Sequence, residues 1–142
     1  MTNVFVYGTL RKGRGNYGLL ERSIFVGSAV TVRKYAMYVS GIPYVTELER
    51  ETTIVGEVYE VDEFTLDRLD QLEGHPDFYE RRKIKVFLED GRKIKAFLYF
   101  CDRVVQNGGF DLDKVVNGDF VNPDILLPEN VIDQIWWTDL KH

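Results

Sequence analysis

The stretch DEFTLDRLDQLEGHPDFYERR, residues 62–82, reads as a short helix, a hard stop and the start of a strand. Asp62 is a candidate N-cap, and Glu63 adds negative charge to the first turn. Leu66 and Leu69 recur at helical spacing, and Glu73 follows seven and four residues beyond them, on the same face. Gly74 suits a left-handed C-cap and Pro76 stops the helix from continuing, which places it over 63–73. Glu73 is thus a carboxylate in the last turn, on the face that carries the leucines. Partial burial, the unfavourable end of the helix dipole and nearby Asp70 would each raise its pKa. Such a group suits a residue that takes a proton and gives it back. The pattern leaves a second reading open: a boundary glutamate that reaches solvent or caps a neighbouring loop.

Downstream lies a local repeat, RKIKVFL at 82–88 and RKIKAFL at 92–98, joined by Glu89-Asp90-Gly91. Two copies with a short glycine-containing joint predict a hairpin, one face of which is apolar: Ile84, Val86 and Leu88 opposite Ile94, Ala96, Leu98 and Phe100. The lysines on the other face are read as solvated. Upstream, TIVGEVYEV at 53–61 is a strand in which Gly56 marks a bulge or bend. Val4 to Tyr7 is a buried strand, followed by a glycine-rich basic loop and a short helix over Tyr17 to Arg22. From Ile24 to Val39 the pattern fits one long strand or two, resuming after Pro43. Val131 to Leu140 is read as a final helix carrying Trp136 and Trp137. Strands dominate, with one clear helix between them. The expectation is an α+β domain spanning 1–142, built on a small mixed β-barrel with few short helices.

Composition narrows the function. The 142 residues carry 44% hydrophobic and 29% charged side chains, which fits a globular protein, and the 13% aromatic content favours strands. A formal charge of −5 and a pI near 5.1 argue against nucleic acid or an anionic membrane as main partner. The single cysteine, Cys101, excludes an internal disulfide and is read as a packed thiol. With only His75 and His142 as histidines, no metal site is expected, and no cofactor. No basic start leads into an apolar core at the N-terminus, and no run of 18 apolar residues occurs. The expected protein is soluble, cytoplasmic and monomeric.

Gly13, Gly15 and Gly18 match G-x-G-x-x-G by letter, but a dinucleotide site needs a βαβ unit and an acidic residue about twenty positions on. Residues 31–35 are basic and strand-like instead. The loop can still present backbone N–H groups to an anion at a strand end, with Arg11, Lys12 and Arg14 adding positive field; a plain basic surface turn is the alternative.

VFVYGTLRKGRGNYGLL at 4–20, GEVYEVDEFTLDRLDQLEGHPDFYERRKIKV at 56–86 and the later VNGDF at 116–120 resemble the γ-glutamylcyclotransferase-like superfamily. The nearest branch is that of the γ-glutamylamine cyclotransferases. The resemblance implies a small mixed barrel and an intramolecular reaction in which the α-amine of a γ-glutamyl group attacks its own γ-carbonyl. The products would be 5-oxoproline and an amine. It implies Glu73 as general acid/base, and Tyr7, Gly8, Thr9 and Leu10 as the loop that grips the glutamyl carboxylate. Tyr79 and Tyr99 are candidate hydroxyl donors near the site, with packing in the core or at the rim as the alternative for each. The nucleophile belongs to the small-molecule substrate, so the chain needs neither metal nor nucleophilic side chain. A non-catalytic module binding a carboxylate metabolite on the same fold is the alternative.

Overall fold

The computed structural model describes residues 1–107, 112–121 and 125–126. In chain order the elements are β1 (Thr2–Val6), a 3-10 turn (Tyr17–Leu20), β2 (Ile24–Thr31), β3 (Ala36–Ser40), β4 (Ile42–Thr46) and β5 (Val55–Val61). They continue with α1 (Glu63–Glu73), β6 (Glu80–Leu88), β7 (Lys93–Phe100), α2 (Asp102–Asn107), β8 (Asp113–Val115) and β9 (Ile125–Leu126). Strands β1, β5, β2, β6 and β7 close a barrel in that order. The barrel is mixed because β7 returns to β1 in parallel at Val4 and Phe97, whereas the other pairings are antiparallel. This is the α+β barrel that the sequence predicts. The final helix read at 131–140 and the turn signals at 108–109 and 122–123 lie outside the described residues.

The repeat folds as predicted, with Ile84 opposite Ala96 and Val86 opposite Ile94. Gly91, at φ +88°, closes the turn by donating its N–H to Leu88 O at 2.9 Å. Inward residues of the barrel strands, among them Phe5, Ala29, Val58, Val86, Leu98 and Phe100, pack one core. Outward residues of the same strands, Val4, Val6, Tyr59, Val61 and Tyr99, pack a second core with Leu20 and Leu69 from the 3-10 turn and α1. Strand β1 therefore faces a core on both sides, which is why it reads as an unbroken apolar run. Residues 24–46 form three strands. Beyond β2, the hairpin of β3 and β4 turns at Gly41 and joins β8 and β9 in a second sheet that the sequence reading did not anticipate.

Gly56 is not a bulge: it pairs in register with Ala29, and the register shift lies further along β2, between Phe25 and Gly27, opposite Tyr59 and Val58. A methyl at Gly56 would sit 2.3 Å from Val6 O and 2.7 Å from Phe5 Cζ, so the glycine permits a close strand approach. Gly56→Ala is expected to lower stability by about 1–3 kcal/mol through overpacking, measured by urea denaturation. An unchanged midpoint would show that this contact is not tight.

Candidate active site

Helix α1 starts and stops where its sequence directs. Thr65 N–H donates to Asp62 Oδ1 at 2.7 Å, and Gly74 takes the left-handed conformation at φ 66°, ψ 36°. The chain then folds back at once. Phe78 N–H donates to Gly74 O at 2.8 Å and Tyr79 N–H to Glu73 O at 3.1 Å, which sets both aromatic rings beside the end of the helix. Leu69 is fully buried against the barrel, and Glu73, one turn on, projects into a cavity of about 160 Å³. That volume is below the usual range for drug-sized ligands and fits a small metabolite.

The residues that the family resemblance and the tyrosine pattern singled out line this cavity: Tyr7, Gly8, Thr9, Leu10, Glu73, Tyr79 and Tyr99. The three tyrosines are held by their hydroxyls. Tyr7 donates to Tyr99 O at 2.7 Å, Tyr79 to Pro43 O at 2.8 Å, and Tyr99 to Asp70 Oδ1 at 2.7 Å. Their protons are committed, so toward a ligand the phenol oxygens of Tyr79 and Tyr99 offer lone pairs, which corrects the donor role expected of them. Burial pushes all three hydroxyls up, and the nearby Glu73 carboxylate adds to each.

Burial also pushes Glu73 up, to about 7. Asp70 takes no part in that rise, contrary to expectation. Burial works against its charge, but hydrogen bonds from Arg81 (Nε, 2.8 Å) and Tyr99, with the Arg81 charge, hold it below the usual carboxylate range. His75 accepts the Arg81 N–H at Nδ1, 3.2 Å away, and Cys101 is buried with its thiol donating to Phe78 O at 3.3 Å.

Facing Glu73 is the loop after β1. Asn16 fixes it by donating N–H and Nδ2 to Thr9 O and Oγ1, at 2.9 and 2.8 Å. Among the described residues, no hydrogen-bond acceptor is paired with the N–H groups of Gly8, Thr9 or Leu10. A Cβ on Gly8 would meet Pro43 Cγ at 2.7 Å, so glycine lets the loop close on β4. The basic side chains act otherwise than expected. Arg11 turns away from the cavity to Asp119 (2.9 Å) and Glu57 (3.6 Å), and Arg14 lies over the Phe120 ring. None of Arg11, Lys12 and Arg14 lines the cavity. Glu57 Oε1 also accepts the Lys12 N–H at 2.9 Å, so these charges anchor the loop and leave its backbone to meet a ligand.

Sequence reasoning missed Asn16, Ile42, Pro43, Leu72 and Phe78 as lining residues. Phe78 adjoins Tyr79 in the motif; Ile42 and Pro43 arrive from a distant hairpin and carry no local signal.

Known proteins resemble the chain over the residues that build this site. The profile of the family described as gamma-glutamyl cyclotransferase, AIG2-like, matches residues 4–122. A protein of Methanocaldococcus jannaschii named as a candidate gamma-glutamylcyclotransferase is 53% identical over 115 residues, covering 78% of this chain and 96% of that one. The gamma-glutamylaminecyclotransferase of Bos taurus is 41% identical over 106 residues, 68% of this chain and 63% of that one. The crystal structure of an AIG2-like protein from Mus musculus superimposes with a TM-score of 0.63 at 31% identity, covering 70% and 76% of the two chains.

The buried carboxyl has a consequence for stability. A folded-state pKa of about 7 against 4.5 means that the native chain holds this proton more tightly than the unfolded one. The stabilisation is complete below pH 4.5 and is lost as pH rises through 7. Between pH 4.5 and 8, wild type should lose about 3 kcal/mol relative to Glu73→Gln, read by denaturant titration of both proteins. Parallel pH profiles would contradict the buried carboxyl; Asp70, common to both, cancels.

Proposed function

The chain belongs to the gamma-glutamyl cyclotransferase, AIG2-like family, and on that premise we propose that it closes γ-glutamyl compounds to 5-oxoproline with release of an amine. The observation that supports this most is Glu73, a carboxyl with a pKa near 7 that shares a cavity of metabolite size with a row of backbone N–H groups unpaired among the described residues.

The substrate's α-carboxylate lies on the N–H groups of Gly8, Thr9 and Leu10, an uncharged cradle that binds an anion by oriented dipoles. Its α-ammonium faces Glu73 and the phenol oxygens of Tyr79 and Tyr99, with Tyr7 bracing Tyr99 from below. Ionised Glu73 removes one ammonium proton, and the freed amine attacks the γ-carbonyl carbon. The ring C–N bond forms and the bond to the departing nitrogen breaks as Glu73 returns its proton to that nitrogen. The second proton shed by the ring nitrogen as the lactam forms follows through Glu73 to the departing amine, which leaves as an ammonium and leaves Glu73 ionised again. No water, metal or covalent enzyme intermediate enters the balance.

A pKa near the working pH lets one group serve in both directions, worth about 10²–10⁴-fold in rate. Anchoring the carboxylate holds the chain bent for five-membered closure, and intramolecular orientation of this kind reaches effective molarities of about 10⁵–10⁸ M.

Wild type should release 5-oxoproline from a γ-glutamyl amide, and Glu73→Gln should lower kcat/KM by about 10²-fold or more while its circular dichroism stays native. Wild-type kcat/KM should rise with pH through about 7 as Glu73 ionises. Retained turnover in the folded variant would remove Glu73 from the mechanism. Carboxylate binding without product in either protein would favour a binding module.

A further inference from the structure

Among the described lining residues the cavity has a buried floor, and its most exposed side chains are apolar. Phe5, Val6, Tyr7 and Tyr99 at the floor are at most 6% exposed. Three other lining side chains, Ile42, Leu72 and Phe78, are 40%, 43% and 44% exposed. They come from separate elements, β4, α1 and the turn after α1, yet converge on one opening. Phe78 is held in place, with Tyr44 edge-on at 6.3 Å and Tyr79 at 5.2 Å between ring centres. Exposed apolar side chains gathered at the rim of a concave site mark a contact surface.

We propose that Ile42, Leu72 and Phe78 form the subsite for the departing amine, and that this subsite takes an uncharged aliphatic chain. The assignment rests on the cyclotransferase reading, because that reading places the glutamyl carboxylate on the loop and sends the other substituent of the γ-carbonyl toward the opening. Among the described lining residues Glu73 is the sole ionisable carboxyl, and no lysine or arginine is present to match a charged tail. An ionised group two to four carbons from the scissile nitrogen would lose hydration against these walls without gaining a partner. An alkyl chain of that length gains burial with each methylene.

The experiment uses γ-glutamyl methyl-, propyl-, butyl- and hexylamide, together with the γ-glutamyl amides of 1,4-diaminobutane and 4-aminobutanoic acid. The full-length protein is assayed for 5-oxoproline, and affinity for each compound is measured by calorimetry on Glu73→Gln and on wild type. From methyl to butyl, kcat/KM and affinity should rise about two- to fourfold per carbon. The charged four-carbon amides should fall at least tenfold below butylamide. Phe78→Ser and Leu72→Ser should flatten the rise, and Phe78→Leu should keep most of it. Turnover of methylamide with a flat series overturns the subsite and leaves the cyclotransferase reading standing. Affinity that climbs with chain length in the absence of 5-oxoproline supports the subsite and overturns that reading. No affinity for any member at millimolar concentration overturns both.

Discussion

Two carboxylates three residues apart on α1 meet opposite environments, and the site depends on that difference. Asp70 receives hydrogen bonds from Arg81 and Tyr99 and stays charged. Glu73, one turn closer to the cavity, is desolvated without an ionic partner among the described residues, and its proton affinity rises to about 7. Burial is the whole cause, so anything that admits water to the cavity would return Glu73 to an ordinary glutamate. The aromatic rings around it therefore matter as walls. Their hydroxyls are tied to Pro43 O, Tyr99 O and Asp70, which leaves Glu73, among the described lining residues, as the ionisable group with a proton to exchange at neutral pH.

The opposite wall follows the same economy of charge. Arg11 is half-buried against Glu57 and Asp119, where losing one partner would strand an ion in a poorly solvated place. That cluster joins the loop after β1 to β5 and to the VNGDF segment. Gly118 is needed there: its φ is +66°, and a Cβ would lie 2.0 Å from Thr53 O, while its carbonyl accepts the Val55 N–H at 2.9 Å. The late motif thus serves the site at second hand, by fixing the loop whose backbone faces Glu73.

How much of this could be read from the sequence varies with the range of the interaction. The limits of α1 were legible because Asp62, Gly74 and Pro76 act on their own neighbours, and the hairpin because its two arms repeat the same alternation. The bulge half of the reading of Gly56 failed because a bulge and a close strand approach leave the same trace, a glycine in an apolar strand. Arg11 was placed in the ligand's field because its partners, Glu57 and Asp119, are distant in the chain. The second sheet and the apolar mouth were hidden for the same reason: Ile42, Leu72 and Phe78 have nothing in common until the barrel closes. The family resemblance pointed to Glu73 and the loop, but the cause of the raised pKa had to come from the packing.

The central claim is that burial makes Glu73 a carboxyl that titrates near neutral pH. The most direct measurement is the side-chain carboxyl ¹³C shift of Glu73 followed by NMR from pH 4 to 9, assigned by comparison with Glu73→Gln. The account predicts a midpoint near 7, well separated from the other glutamates. A midpoint close to 4.5 would mean that water reaches the group, and the proton-shuttle account of the site would fail.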